Sequence, residues 1–238
     1  MKKLLFILFT TLAVSVVSAQ NKKAKIGFTS QTGDHLMLQL TSDHWMGTPD
    51  SIKSHFKGLS RGLNFYVMLD QRFKGTPQLS VAFGLGVGTS GMYFKNMNVD
   101  IKSRTSKLPF NNVENQDHFK KYKLATAFLE IPIELRYSSN PERDSKSIKA
   151  ALGFKVGTLL NVHTKGKILL DKDGKTLNNY TAKETGKGFF NSTRIAATAR
   201  VGYGNFSLFG SYQLNNIFKD GVAADVKLFQ IGLCLSGL

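Results

Sequence analysis

The chain has one cysteine, Cys234, so it can form neither an internal disulfide nor a cysteine-based zinc cluster. Its five histidines make no H-x-x-x-H or H-E-x-x-H arrangement, and no zinc motif is visible. Acidic residues are scarce: 16 Asp+Glu against 32 Lys+Arg leave a formal net charge of +16. Such an excess invites an anionic partner, whether nucleic acid, phosphate or a lipid headgroup. Proline is rare, with 5 in 238 residues, and charged residues are only 20% of the chain, which argues against wholesale disorder. After residue 19 no apolar run approaches the ~18 residues of a spanning helix. What remains is a chain of 42% hydrophobic residues with 18 Phe and 22 Gly, enough for one sizeable domain.

Its first segment is an address. Met1-Lys2-Lys3 is basic, Leu4 to Val17 is uncharged and mostly apolar, and Val17-Ser18-Ala19 offers small residues where a signal peptidase reads. The run is shorter than the ~20 residues of a membrane anchor, so residues 1–19 read as a signal peptide cleaved before Gln20. No cysteine follows it, which argues against a lipoprotein. Export removes Lys2 and Lys3 and turns the remaining positive charge away from nucleic acid.

The rest of the chain alternates apolar and polar residues with period two, the pattern of strands with unlike faces. In Leu124 to Tyr137 the odd positions Ala125, Ala127, Leu129, Ile131, Ile133, Leu135 and Tyr137 are apolar, while Glu130, Glu134 and Arg136 occupy the other face. The same pattern places strands near His35–Trp45, Gly62–Phe73, Gln78–Phe94, Ile148–His163, Ser192–Tyr203, Phe206–Leu214 and Val226–Leu235, eight in all. Their connections alternate between long and short, starting and finishing long, as in an outer-membrane barrel with short periplasmic turns and long outer loops. Phe73, Tyr137 and Tyr203 end three descending strands, where a periplasmic aromatic girdle belongs; Trp45 and Tyr93 are candidates for the opposite rim. The expected fold is all-β: an eight-stranded antiparallel up-and-down transmembrane β-barrel. It follows an N-terminal periplasmic segment, residues 20–34, and spans residues 35–238.

A soluble ligand-binding barrel, with the apolar face turned inward, shares this periodicity. The polar face favours the membrane barrel. It carries Asp70, Arg72, Glu130, Glu134, Arg136, Lys155, Arg194 and Arg200, opposite charges that can neutralise one another in a narrow lumen. Gly84, Gly86, Gly88, Gly153 and Gly157 share that face, as if leaving room for long side chains opposite.

Glu130-Ile131-Pro132-Ile133-Glu134-Leu135-Arg136-Tyr137, the Gly-rich strand ahead of it and the Ser18-Ala19-Gln20 end of the signal resemble the PorT-like outer-membrane β-barrel proteins of Bacteroidota. The resemblance implies an eight-stranded barrel without shared catalytic residues, some of whose relatives assist protein secretion and gliding. Two departures stand out. Pro132 lacks an N–H donor inside a strand, which calls for a bulge or an unpaired position. The chain ends in Leu238 rather than the aromatic that ends many outer-membrane barrels.

Catalytic signatures are weak. Glu130 and Glu134 lie four residues apart on one strand, about 13 Å, too far for a directly coupled pair. Gly86-Val87-Gly88-Thr89-Ser90-Gly91 spells G-x-G-x-x-G inside a strand, without the βαβ unit a dinucleotide needs. Asp171-Lys172-Asp173-Gly174-Lys175 starts like a calcium loop but reads better as a β-turn. A lipid hydrolase or acyltransferase would need a Ser and a His together near the outer rim; Ser42, Ser51 and Ser90 are available, as are His44, His55, His118 and His163. The outer connections are basic: Lys95–Lys123 holds seven basic and three acidic residues, and Thr164–Asn191 six and three. Lys102, Arg104, Lys107, Lys120, Lys121, Lys165 and Lys167 are the candidate contacts. The expectation is a non-enzymatic barrel without metal or cofactor. Its partners would be outer-membrane lipid, lipopolysaccharide phosphates and envelope or secretion proteins, and not nucleic acid.

Overall fold

The computed structural model describes residues 36–237. The signal peptide (1–19) and the N-terminal segment (20–34) expected from the sequence lie outside the described residues, as do His35 and Leu238. Every element below lies within the unit that ends at Leu238.

In chain order the elements are β1 (Leu36–Met46), the single-turn helix α1 (Asp50–Lys53), β2 (Arg61–Phe73), β3 (Thr76–Phe94), the short pair β4 (Met97–Val99) and β5 (Phe110–Asn112), and β6 (His118–Ser138). They continue with β7 (Ile148–Leu170), β8 (Thr176–Thr185), β9 (Thr193–Tyr203), β10 (Phe206–Gln213) and β11 (Lys227–Ser236). Eight of these strands form a closed antiparallel barrel in the order β1-β2-β3-β6-β7-β9-β10-β11, with β11 returning to β1 through pairs from Met37↔Ser236 to Met46↔Lys227. No helix among the described residues is long and apolar enough to cross a membrane.

The alternation sorts cleanly between the two faces. Leu63, Phe65, Val67, Ile131, Ile133, Leu135, Phe154 and Leu233 all point outward and stay exposed, reaching 68% for Leu152 and 70% for Phe206. So continuous an apolar exterior is stable only against lipid. The polar residues point inward, which excludes the soluble ligand-binding barrel with its apolar interior. Phe73, Tyr137 and Tyr203 are exposed beside the short turns at one end, hereafter the turn end. Pro132 sits at an unpaired position rather than a bulge. The β3–β6 ladder skips from Phe83↔Ile133 to Gly86↔Glu130 in unchanged register, while Pro132↔Lys155 continues the β6–β7 ladder on the other side.

Three features depart from the sequence expectation. The connections expected to be loops are partly strand: β6 begins at His118, β7 runs to Leu170, and β8 pairs with the upper part of β7. Apolar alternation fades there because lysines take the outward positions. The second departure is a bulge in β7, where Phe128 pairs with Leu159 and Ala127 with Asn161, leaving Leu160 out of the ladder. Below it the inward residues are odd-numbered (Lys155, Leu159); above it they are even-numbered (Val162, Thr164).

Third, Trp45 does not belong to an outer rim. It lies on the odd-numbered face of β1 with Met37, Gln39, Thr41 and Asp43, is 8% exposed, and meets Phe56, Phe94 and Phe218 edge-on at 5.9, 5.9 and 5.5 Å. The parity that sends Leu36, Leu38 and Leu40 outward sends Trp45 inward. Tyr93 does face outward, half-buried, with the Lys123 ammonium 5.7 Å above its ring. Since Trp45 is the chain's single tryptophan, its fluorescence should be blue-shifted in lipid and resist quenching by brominated acyl chains. Efficient quenching would restore Trp45 to the lipid-facing rim.

Candidate functional site

The lumen is built around two carboxylates of β6. Glu130 is fully buried. Its Oε1 forms an ion pair with Arg194 Nη1 at 3.1 Å, and its Oε2 one with Lys155 Nζ at 3.4 Å. Tyr66 donates its hydroxyl to the same Oε2 at 2.5 Å. Arg194 also donates through Nη2 to Gln230 Oε1 at 3.0 Å, and its guanidinium lies 5.3 Å from the Phe128 ring centre. Gln230 passes the chain of bonds on, donating from Nε2 to Asp43 Oδ1 at 2.9 Å. Thr41 donates to that oxygen at 2.6 Å, and the Gly91 N–H to the other at 3.2 Å. Nearer the turn end, Glu134 accepts from Arg136 Nε at 2.9 Å and from Arg200 Nη2 at 3.2 Å. Arg200 also donates through Nη1 to Ser236 Oγ.

Six of the eight polar-face residues named from the sequence thus come together, four cations around two acids. Asp70 and Arg72 lie at the turn-end mouth, on a cavity that Arg136 and Arg200 also line, and Arg72 donates to the Pro141 carbonyl at 2.6 Å. Buried charges are costly unless paired, and each glutamate here faces two cations. The glycines supply the space. A Cβ on Gly88 would collide with the Glu130 carboxylate, and one on Gly157 would lie 2.7 Å from Glu130 Cγ.

Above the lumen, at the end opposite the turns, lies a second core that sequence reasoning missed. Trp45, Met92, Phe94, Tyr122, Leu124, Phe128, Leu159 and Val162 from the barrel wall pack with Met97, Val99, Ile101, Leu108, Phe189, Phe190, Ile217, Phe218 and Val226 from the connections. Tyr122 pins β4 by accepting from the Val99 N–H and donating to the Val99 carbonyl, both at 3.0 Å. Asn191 Nδ2 ties two connections together by donating to the Asn216 and Phe218 carbonyls at 2.8 and 2.7 Å. Phenylalanine in the expected loops was the available signal: Phe56, Phe110, Phe189, Phe190 and Phe218 are too many for solvated connections.

The basic candidates fall into two groups. Lys102, Arg104 and Lys107 are exposed in the β4–β5 connection. Lys120, Lys121, Lys165 and Lys167 lie on the β6–β7 extension, where Lys121 pairs with Lys167. The register adds two lysines outside that candidate set, with Lys123 opposite Lys165 and Lys165 opposite Lys183.

Of the possible nucleophiles, Ser90 is buried in the lumen and Ser51 lies on α1. Ser42 and His44 do meet: Oγ and Nε2 are 3.0 Å apart on the outward face of β1. Asp43 between them points into the lumen, so it cannot orient that imidazole; the ring neighbouring His44 is Phe229, at 6.3 Å. Among the described residues no group of three or more His, Cys, Asp or Glu is placed to hold a metal.

The lumen pairing yields a measurable coupling. Arg194→Met should cost about 3 kcal/mol in denaturant unfolding, because it leaves Glu130 buried with fewer cations. The double variant Arg194→Met/Glu130→Gln should recover part of that loss. Strict additivity of the two single changes would refute a direct pair.

A search of curated proteins finds no match. Among solved structures, the chain is similar to Ail, the attachment invasion locus protein of Yersinia pestis, crystallised with the heparin analogue sucrose octasulfate. Identity there is 13%, with a TM-score of 0.36, over 84% of this chain and 94% of that one. Neisserial surface protein A (NspA) is similar at 12% identity and a TM-score of 0.33, over 85% of this chain and 97% of that one. The sequence profile of the outer membrane protein beta-barrel domain matches residues 18–219. With a closed eight-stranded barrel, an apolar exterior and that match over most of its length, the chain belongs to the outer membrane protein beta-barrel domain family.

Proposed function

We propose that this protein is a non-enzymatic outer-membrane barrel that works through its folded outer cap: it shapes the envelope surface and presents a fixed site to anionic lipid and to envelope or secretion proteins. On this reading residues 1–19 direct export and are removed, the turn end faces the periplasm, and the cap faces the cell exterior. The supporting observation is the second core. Connections that served only as solvated linkers would not bury Phe94, Phe190 and Phe218 together, with Phe190 and Phe218 5.2 Å apart. Charged side chains buried in the lumen and aromatics packed above it suit a filled eight-stranded barrel rather than an open pore. The Glu130–Tyr137 strand supports a PorT-like relationship in Bacteroidota and, with it, an accessory part in secretion.

The Ser42–His44 contact favours a second reading, a lipid-modifying enzyme at the outer rim. A hydrolase would also need a group to orient His44 and donors for an oxyanion. The β11 ladder runs along β1 to Met46 and the β2 ladder to Ser42, and the Asp43 N–H donates to the Ser60 carbonyl.

The protein should be recovered in the outer-membrane fraction, migrate faster unheated than heated in gels, and show no unitary conductance in planar bilayers. Channel openings would overturn the closed-barrel reading. Turnover of acyl-labelled lipid that Ser42→Ala abolishes would replace the first reading with the enzymatic one.

A further inference from the structure

The outward face of the β6–β7–β8 extension carries lysines in register. Lys123, Lys165 and Lys183 form one row across three strands, and Lys121 and Lys167 form the next. The five share a face, because the residues between them on β6 and β7, Tyr122 and Gly166, pair with each other and are buried on the other. Like charges directly opposite one another destabilise a sheet. Neighbouring acid does not offset them: Glu184 pairs with Thr164, on the opposite parity from Lys183. Among the described residues none of the five lysines is within ion-pair distance of a carboxylate.

The rows border an open cavity of about 200 Å³ lined by Tyr93, Lys121, Tyr122, Lys123, Lys165 and Lys167. They also stand just above the lipid-facing band. Lys165 follows the exposed Leu160 by five residues, about 12 Å along the axis of a barrel whose strands tilt ~40°. Flexible lysine stems lying along the wall bring their ammoniums closer still to the membrane surface. Tyr93, on the same outward face beside Lys123, is an amphipathic ring of the kind found at that boundary.

We propose that this lysine ladder is a binding site for the phosphate monoester of a phosphorylated glycolipid in the outer leaflet, seated against Tyr93 and held by Lys123, Lys165 and Lys183. Lysine suits phosphate as a point charge, and one dianion among three ammoniums removes the repulsion that the register imposes. The site rests on the outer-membrane reading above and gives its lipid contact an address on the barrel wall, distinct from the Lys102–Lys107 connection.

Purified full-length protein in nanodiscs tests it. The discs contain phosphatidylethanolamine alone, or with added bisphosphorylated lipid A, or with added lipid A stripped of phosphate; inorganic phosphate is a separate arm. Lys165→Gln/Lys183→Gln is compared with Lys172→Gln/Lys175→Gln, which removes equal charge at the exposed β7–β8 turn. The wild type should gain several degrees in Tm only with the phosphorylated lipid. The ladder variant should keep or raise its Tm in phosphatidylethanolamine, bind lipid A at least tenfold more weakly, and lose most of the gain; the turn variant should keep it. Equal losses in both variants, full retention by the ladder variant, or an equal gain from phosphate-free lipid A would overturn the site. An equal gain from inorganic phosphate would overturn the lipid as its source. These measurements use folded protein already in lipid, so their failure leaves localisation standing. Absence from the outer-membrane fraction would overturn both readings.

Discussion

Closure of the sheet is the constraint on which the rest depends. In lipid, an unpaired backbone N–H or C=O costs several kcal/mol, so a spanning sheet must leave no edge in the bilayer. The return of β11 to β1 meets that requirement. It also makes each strand two-faced, one face against lipid and the other in a space that eight strands make too narrow for bulk water. The exposed leucines and phenylalanines outside and the paired charges inside are two consequences of one closure. Pro132 shows how closely the ladder is kept, since its missing donor leaves a gap toward β3 and none toward β7.

The narrow interior then dictates its own chemistry. Long side chains fit only where the neighbouring strands leave room, which explains the glycines beside Glu130 and Tyr66 on the strands paired with them. Charge placed there must be neutralised locally, and Arg194, Lys155, Arg136 and Arg200 surround the two glutamates accordingly. Toward the cap the lining changes from ionic to aromatic, and the connections complete a core that the barrel wall alone could not close. The bulge at Leu160 serves this change. By switching the inward parity of β7 it turns Val162 toward the cap core and leaves His163 and Lys165 outside.

Charge on the outside follows a different logic. Solvent screens exposed lysines, and a scattered set would need no explanation. The rows on β6, β7 and β8 are not scattered, because cross-strand register places like charges side by side while the available acid faces the other way. That arrangement exists only once the extension has formed, which sets it apart from the β4–β5 connection, where Lys102, Arg104 and Lys107 are neighbours in the sequence itself.

The sequence by itself determined the number of barrel strands, their antiparallel order and most of the residues that face lipid. Period-two alternation and alternating connection lengths are local signals that closure merely obeys. It also marked Glu130, Glu134, Lys155, Arg194 and Arg200 as one face, because parity alone assigns a strand residue to its side. Parity read consistently would have placed Trp45 inward as well. Only the tertiary structure decided which cation meets which carboxylate, that the connections fold into a second core, and that Lys123, Lys165 and Lys183 form a row. Those outcomes depend on register between strands distant in sequence and on a bulge that shifts it by one residue, and no local periodicity encodes either.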